Sequence, residues 1–447
     1  MKQGNSEQRY LANFEAFEKG LNGEASSQVH AIRRAAIARF AELGFPTTRD
    51  EEWKYTDVSK MVNLPFGISR GPARRNPSRA EIEPLLGFTE GSTLVWVDAH
   101  FSAELSSTER LTAGGVKAGS LISALQRDPG GLMRHFARYA AFDTNAFTAL
   151  STAFFQDGAF VSIPDGAVSG EPIHLLFVST GGGEPSLACP HNLYLIGRNS
   201  QASIVESHSS LAPGERLTNG VTEIVLGENA LLEYHQIQDG GERAYHVGST
   251  HILQERSSSF TSHSVSLGGA LIRNNITAVL NGEGAECTLN GLYCLTGDQH
   301  VDNHTAIDHA KPHCNSHELY KGILDGHSSG VFNGKIMVRK DAQKTDAKQT
   351  NKNLVLSDDA RIDTKPQLEI FASDVRCTHG ATIGQLDDEA LFYLQSRGIG
   401  AQGARDILIG AFAADVVDRI KIPALRDRLS GVIRRRLETG RASGERR

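Results

Sequence analysis

A cysteine and a histidine stand two residues apart in the phrase DVRCTHGATIG, as Cys377 and His379, and together they could bind a metal ion. If this segment is a strand, both side chains lie on the same face of it. A thiol and an imidazole bind soft or borderline metals, and an imidazole can lower the pKa of a neighbouring thiol. No third or fourth ligand stands nearby. The pair is therefore either half of a metal site that another subunit completes, or a buried cysteine beside a hydrogen-bonded histidine.

Histidines are also concentrated in the run HVDNHTAIDHAKPHCNSHE. The nitrogen and sulfur ligands that this run could supply are His300, His304, His309, His313, Cys314 and His317. Because alternate positions of a strand face opposite sides, the last three histidines could align while the first two need not. The run meets no spacing rule of tetrahedral metal sites. It is either a metal site or a polar coil surface that carries hydrogen-bonded histidines.

Several aspartates could serve as the acid and base of a sugar-cleaving enzyme. The candidates are Asp358, Asp359 and Asp363 in LSDDARID, and Asp302 with Asp308. Paired carboxylates cleave glycosidic bonds in many enzymes, but aspartates in polar turns more often serve as turn formers. Aromatic residues make up only 7% of the chain, which does not favour an aromatic-lined sugar groove.

Two phrases of the sequence partly match nucleotide-binding motifs, but neither has the context that such a motif requires. Gly398, Gly400 and Gly403 spell GxGxxG, but a helix precedes them where a dinucleotide site requires a strand, so we predict a helix-helix turn. The nearest phrase to a P-loop is GVFNGKI from Gly330, and it lacks the hydroxyl residue that binds magnesium. We therefore expect no ATP hydrolysis by this chain unaided.

The elements that must position these residues are mainly short strands from Ala159 onward, among them AFVSI, IHLLFV, NLYLI and LLEYHQI. An apolar residue followed by a polar turn recurs along this region. The recurring positions are Ile196, Leu226, Leu253, Leu280, Leu324 and Leu356, which lie 30, 27, 27, 44 and 32 residues apart. Repetition at such a period, with strands and no helices, predicts a parallel β-helix over residues 159–384.

Helical segments flank this core. Residues 1–158 are predicted as a mixed, mainly helical domain that includes a helix between Ser27 and Gly44, and residues 385–440 as three helices followed by a disordered tail, 441–447. The middle C-terminal helix carries an apolar stripe of Leu408, Phe412, Val416 and Ile420. This stripe is either internal core or a docking face for another protein.

The overall composition restricts the class of protein. A net charge of -6 argues against nucleic acid as the main ligand. The first twenty residues lack the apolar run of a signal peptide, and no 18-residue apolar run occurs, so we expect a cytosolic protein outside the membrane. Five scattered cysteines without a CxxC pair indicate reduced thiols.

Three phrases resemble one known family. The stretch TDAKQTNKNLVLSDDARIDTKPQLEIFASDVRCTHGATIG is similar to the C-terminal signature of the SufD family of iron-sulfur cluster assembly proteins. PTTRDEEWKYTDV and DHAKPHCNSHELYKGIL agree with the same family. The resemblance implies a right-handed parallel β-helix between helical ends. It also implies a complex with the paralogue SufB and the ATPase SufC, in which nascent clusters are built at the interface with SufB.

The resemblance further implies residue roles. His379 falls on a histidine held to matter for cluster formation, Cys377 falls on its neighbouring cysteine, and the helix with the apolar stripe matches the segment that docks the ATPase. We therefore expect a non-catalytic scaffold that carries a transient cluster, with His379 as a metal ligand beside ligands from the partner. The alternatives are a β-helix enzyme acting on acidic polysaccharide and an interaction module with structural histidines. The sequence leaves open whether a flavin takes part and whether the chain also forms a homodimer.

Overall fold

The computed structural model describes residues 4–21, 27–68, 75–86, 91–109, 111, 114–181 and 183–444. Short helical turns lie at Glu51–Trp53 and Glu83–Leu85. The α-helices are α1 (Gly4–Glu18), α2 (Gln28–Leu43), α3 (Ser59–Asn63), α4 (Arg79–Ile82), α5 (Leu121–Arg127), α6 (Pro129–Leu132), α7 (Ala146–Ala153), α8 (Asp388–Ser396), α9 (Ala401–Val417) and α10 (Pro423–Gly444).

Two mainly parallel sheets form the centre of the molecule, and the chain passes from one to the other in successive coils. The first sheet contains β1 (Gly67–Ile68), β4 (Lys117–Ser120), β5 (Ala159–Ile163), β7 (Ser186–Ala188), β8 (His191–Ile196), β10 (Arg216–Leu226), β12 (Ala244–Gln254), β14 (Leu271–Leu280), β16 (His300–His309), β18 (Ser329–Val338) and β20 (Arg361–Ile370). The second contains β2 (Thr93–Val97), β3 (His100–Ser107), β6 (Ile173–Ser179), β9 (Gln201–Ser210), β11 (Leu231–Asp239), β13 (Ser259–Ser266), β15 (Glu286–Leu295), β17 (Asn315–Leu324), β19 (Asp346–Val355) and β21 (Arg376–Gly384). The predicted β-helix core is confirmed as a β-solenoid.

The predicted repeat exists, but its alignment was partly wrong. In the first sheet Leu280 is followed by His309, 29 residues later, whereas Leu324 lies in the second sheet beside Leu295. The 44-residue interval of the predicted repeat, from Leu280 to Leu324, therefore joins positions in two different sheets. The error arose because strands of both sheets can end with an apolar residue before a polar turn.

A buried glutamine caused a second misalignment. The residue that lies beside Leu226 is Gln254, not Leu253. Gln254 is fully buried, and its Nε2 donates a hydrogen bond to the backbone oxygen of Glu286 at 2.8 Å. This hydrogen bond offsets part of the cost of burying the amide, whose Oε1 has no partner among the described residues, in a corner that Leu226 and Leu280 fill with apolar groups.

Alternate side chains of every strand point into the solenoid and form its main core. Two tyrosine rings illustrate how tightly this core is packed. The ring of Tyr320 lies over Gly291, and the ring of Tyr293 lies over Gly322, so a Cβ atom at either glycine would collide with an aromatic carbon. Glycine is required at both positions because the rings occupy the space of a side chain.

Helices cover the outer faces of both sheets. On the first sheet, α7 packs over β10, and Phe147 and Leu150 join one cluster with Leu217 and Val247. On the second sheet, α9 and α10 cover strands β13 to β19 in a separate apolar cluster. Strands β2 to β4 lie within residues 1–158. β2 pairs with β6 and with β3, and β4 pairs with β5, so both sheets extend back into the N-terminal region.

The predicted helix ends agree with the structure. The Ser27 side chain accepts a hydrogen bond from the backbone N–H of His30, and Gly44 follows the last turn of α2. α8 ends at Ser396 and α9 begins at Ala401, so the GxGxxG phrase forms a helix-helix turn in which Gly398 has a φ of +86°. α10 continues through Gly444, so the first part of the predicted disordered tail is helical, and residues 445–447 lie outside the described residues. None of the described helices is long and apolar enough to cross a bilayer.

Candidate functional site

The last coil of the solenoid leaves its edges unpaired. Among the described residues β20 pairs only with β18, and β21 pairs only with β19, so each strand is the edge of its sheet. Large apolar side chains are exposed here: Ile370, Phe371 and Ile383. Unpaired strand edges with exposed apolar groups favour pairing with another chain, because they offer both free backbone hydrogen-bonding groups and apolar surface.

Cys377 and His379 lie on this edge strand, β21, as the sequence predicts for a strand. Cys377 is aligned with Ala347 of the previous coil, and His379 is aligned with Gln349. Ala347 and Gln349 are buried inside the solenoid, so the two site residues continue an inward-facing row. Because no further coil follows, His379 is nevertheless exposed and Cys377 is half-buried.

The protonation of Cys377 differs from what the sequence suggested. Burial raises the pKa of the Cys377 thiol, and the charge of Asp346 raises it further, although a backbone hydrogen bond from Ala347 opposes the shift. The sequence suggested that a neighbouring imidazole lowers the pKa of this thiol, and no such effect is found. The chain alone therefore presents a thiol beside an exposed imidazole, and a thiolate would need a metal or a new positive charge close by.

No closed metal site occurs in the described residues, since no three His, Cys, Asp or Glu side chains there lie close enough together to hold one ion. The pair on β21 offers at most two ligands, whereas iron in clusters and zinc in structural sites take about four. Chemically the pair can hold a metal only when groups from another molecule complete the set.

A polar row beneath His379 was missed by sequence reasoning. Glu318 and Gln349 occupy the two coils before His379 in the same inward row, and Gln349 Nε2 donates to Glu318 Oε2 at 2.7 Å. Burial raises the pKa of Glu318 to about 7, although hydrogen bonds from Thr305 and Gln349 oppose the shift. The signal in the sequence is polar residues spaced about 30 apart at positions where other coils place apolar residues.

The histidine run does not form one site, because it spans two sheets. His300 and His304 lie on β16 and contact the N-terminal region: His300 Nε2 is 2.9 Å from Thr56 Oγ1, and His304 Nδ1 is 3.2 Å from Glu52 Oε2. His309 is buried against Ser316 Oγ, at 2.9 Å. The others are dispersed: Cys314 is buried, His313 lies in a turn with a φ of +59°, and His317 is exposed on β17.

The aspartates proposed as an acid and base are held in other contacts. Asp302 is buried and its Oδ2 accepts from Arg273 Nη1 at 2.5 Å, while Asp308 Oδ1 accepts from Arg339 Nε at 2.9 Å. Asp363 Oδ2 lies 3.3 Å from Arg361 Nε. Asp358 and Asp359 are exposed in the turn between β19 and β20. These contacts give no support to a carboxylate pair poised over a sugar.

The apolar stripe on α9 divides between core and partly exposed positions. Val416 and Ile420 are fully buried against the second sheet, so these two residues belong to the core. Phe412 is half-buried, and Lys321 Nζ lies 4.0 Å from the centre of its ring. Leu408 is also half-buried. The family resemblance implied that this stripe is a docking face, but half of it faces inward because α9 packs across the solenoid. Ile420 lies beyond α9, which ends at Val417.

A different surface of the C-terminal helices is apolar and exposed. Phe392 and Tyr393 of α8 are 74% and 59% exposed, and Ile407 of α9 is 47% exposed. No residue of α8 is buried. Three large apolar side chains on neighbouring helices are typical of a surface that another protein covers.

Comparison with known proteins identifies the family of this architecture. The family model described as "SUF system FeS cluster assembly, SufBD core domain" matches residues 177–412, and the model of the "SufBD protein N-terminal region" matches residues 4–175. The first match covers the solenoid and most of α9, and the second covers the helices and strands before it. Together they span nearly the whole chain.

Individual relatives agree with both models. The chain is 35% identical to an iron-sulfur cluster assembly SufBD family protein of Synechocystis, over 92% of this chain and 91% of the relative. It is 31% identical to the iron-sulfur cluster assembly protein SufD of Escherichia coli, over 98% of both, and 26% identical to SufD of Bacillus subtilis, over 91% of this chain and 93% of the relative. The chain therefore belongs to the SufBD family of iron-sulfur cluster assembly proteins.

Proposed function

We propose that this chain is a non-catalytic, cytosolic scaffold on which an iron-sulfur cluster is assembled at the open final coil, together with a SufB-like partner. The observation that carries the proposal is the placement of His379 and Cys377 on an unpaired edge strand, beside the exposed apolar residues Ile370, Phe371 and Ile383. A partner strand added at this edge would bury those apolar groups. It would also bring its own ligands next to the imidazole and the thiol.

A site divided between two chains suits a scaffold. Imidazole and thiolate are soft or borderline ligands that bind iron. When the ligands come from two subunits, a relative movement of the subunits changes the coordination and lets the cluster leave. A metal ion bound at the interface would also lie close to Cys377, and its positive charge would favour the thiolate.

We further propose that a SufC-like ATPase docks on the exposed apolar surface formed by Phe392, Tyr393 and Ile407. This surface replaces the stripe predicted from the sequence, because Val416 and Ile420 are core residues. α8 and α9 connect the docking surface to the solenoid: Lys321 of β17 pairs with Asp415 of α9, Nζ to Oδ2 at 3.1 Å. Movement of the docked ATPase could therefore be transmitted to the coils beside the cluster site.

Co-expression tests this function. The tagged chain is produced with the SufB-like and SufC-like proteins of its source, purified without oxygen, and examined by size and by visible absorption. We expect a stoichiometric complex with an iron-sulfur chromophore that the chain alone lacks. In His379→Ala we expect the complex to form with at least a tenfold lower cluster yield, because the imidazole ligand is lost.

His317→Ala is the matched control, since His317 is also an exposed histidine of the second sheet. Its cluster yield should equal that of the unmodified chain. A normal yield from His379→Ala would refute the assigned site. A monomer or homodimer that retains neither partner at low salt would refute the proposed assembly.

A further inference from the structure

The amide of Gln349 has a fixed orientation inside the solenoid. Gln349 is 1% exposed, and one end of its amide lies 2.7 Å from Glu318 Oε2. In this structure the amide directs its NH₂ group at Glu318, with Nε2 as the donor and the carboxyl oxygen as the acceptor. The carbonyl oxygen of the same amide is consequently directed away from Glu318.

That carbonyl oxygen, Oε1, is buried and has no hydrogen-bond partner among the described residues. A buried acceptor without a donor costs about 1–3 kcal/mol. The Gln349 amide and the ring of Phe332 both lie beside Gly334, and neither a phenylalanine nor a glycine has a side-chain donor. The next residue in the inward row is His379, directly aligned with Gln349.

We propose that Gln349 is a positioning residue for His379: its carbonyl oxygen accepts the N–H of one imidazole nitrogen and so directs the lone pair of the other nitrogen toward the open end. No hydrogen bond joins the two side chains in this structure. Neighbouring coils are about 4.8 Å apart, a separation that an imidazole N–H on one coil and a glutamine carbonyl on the next can span. The use of this contact in cluster assembly rests on the proposed function, whereas the hydrogen bond itself lies within this chain and does not depend on it.

Such a contact has a clear chemical use. A neutral imidazole can bind iron through one nitrogen while it donates from the other, and the donated hydrogen bond selects the tautomer and holds the ring. Without it, both nitrogens of an exposed imidazole compete for the proton and the ring rotates freely. Glu318 assists from a distance, because its carboxyl oxygen accepts from Nε2 of Gln349 and leaves the amide oxygen for His379.

Nuclear magnetic resonance of the full chain, with isotope-labelled histidine, tests this contact directly. Ring nitrogen and carbon shifts report which nitrogen carries the proton, and the His379 signals are assigned with His379→Ala. We expect a single tautomer with a slowly exchanging ring N–H in the unmodified chain. In Gln349→Met, which keeps the size but removes the acceptor, we expect mixed tautomers and loss of the N–H signal.

His317 serves as the internal control in the same spectra, and its signals should not change in Gln349→Met. If His379 of the unmodified chain shows mixed tautomers and fast exchange, the positioning role is overturned, even if Gln349→Met fails to fold. In the purified complex, Gln349→Met should lower the cluster yield about threefold, less than His379→Ala does. A tautomer that depends on Gln349 while cluster yield is independent of His379 would uphold this contact and overturn the proposed function.

Discussion

At the scale of single residues, two buried histidines, His235 and His263, stack on each other away from the cluster site. His235 and His263 are aligned on neighbouring strands of the second sheet, with ring centres 5.0 Å apart and an interplanar angle of 11°. Neither ring has a hydrogen-bond partner among the described residues. Burial lowers the pKa of His235 to about 3, with the neighbouring His263 and Lys421 adding to the shift.

His263 is shifted in the same direction. Burial lowers its pKa to about 4, and the positive charges of Arg419 and Lys421 contribute. In the unfolded chain both imidazoles take up a proton below about pH 6.5. Between pH 6.5 and about 4 the unfolded state therefore binds more protons than the folded state. The contribution of these histidines to stability is complete above pH 6.5 and is lost as the pH falls.

We predict that His235→Leu/His263→Leu weakens the acid sensitivity of the fold. Each histidine removed should decrease the slope of unfolding free energy against pH by up to about 1.4 kcal/mol per pH unit between pH 6 and 4.5. Urea midpoints measured across this range provide the comparison. His327→Leu, at an exposed turn position, is the control for the loss of a surface histidine. An unchanged slope in the double variant would mean that the rings take up protons in the folded state.

At the scale of elements, α9 has one face buried against the solenoid and one face exposed to solvent. Ile409 is fully buried against the second sheet, whereas Ile407, two residues earlier, is 47% exposed. The buried face attaches the helix to the solenoid. The exposed face belongs to the apolar surface that we assign to the ATPase.

This division predicts opposite effects from the same substitution. Ile409→Ala should lower the stability of the chain by about 2–5 kcal/mol, because it leaves a cavity in the core. Ile407→Ala should change stability by less than about 0.5 kcal/mol but weaken ATPase binding about tenfold, as an interface residue does. Thermal unfolding and titration with the purified SufC-like protein distinguish the two. Equal ATPase affinity in Ile407→Ala and the unmodified chain would remove this face from the docking surface.

At the scale of the whole molecule, the chain ties its N-terminal region to the middle of the solenoid. Arg273 of β14 donates from Nη1 to the backbone oxygen of Glu52 at 2.8 Å and lies 4.3 Å from the ring centre of Trp53. Asp302 of β16 accepts from Thr56 Oγ1 at 2.5 Å. Burial would raise the pKa of Asp302, but the charges of Arg273 and His304 hold it well below its ordinary range.

Loss of this anchor should loosen the N-terminal region. Asp302→Ala leaves Arg273 buried without its counter-ion, which costs about 3–5 kcal/mol. We expect a lower unfolding midpoint and faster proteolysis between residues 45 and 60. Asp308→Ala on the same strand is the control: its partner Arg339 is 55% exposed, so the cost should stay within about 1 kcal/mol. Identical proteolysis of both variants would show that the N-terminal region is held by its apolar contacts alone.

The sequence by itself determined the class of architecture. Its β-branched strands, polar turns and repeat predict a parallel β-helix, and the end signals Ser27 and Gly44 place a helix correctly before it. These features are local, because strand alternation and helix capping depend on residues within a few positions of each other. The pairing of Cys377 with His379 on one strand face is local for the same reason.

Only the tertiary structure decided which groups meet across the coils. The row of Glu318, Gln349 and His379 joins residues about 30 positions apart, and its register depends on the length of every turn between them. The buried positions of Gln254 and Val416 could not be predicted from the sequence for the same reason. Whether a polar amide or one face of a helix is buried depends on the residues that pack against it. The open final coil is likewise a property of the stacked sheets: no single strand reveals from its own residues whether another will pair beside it.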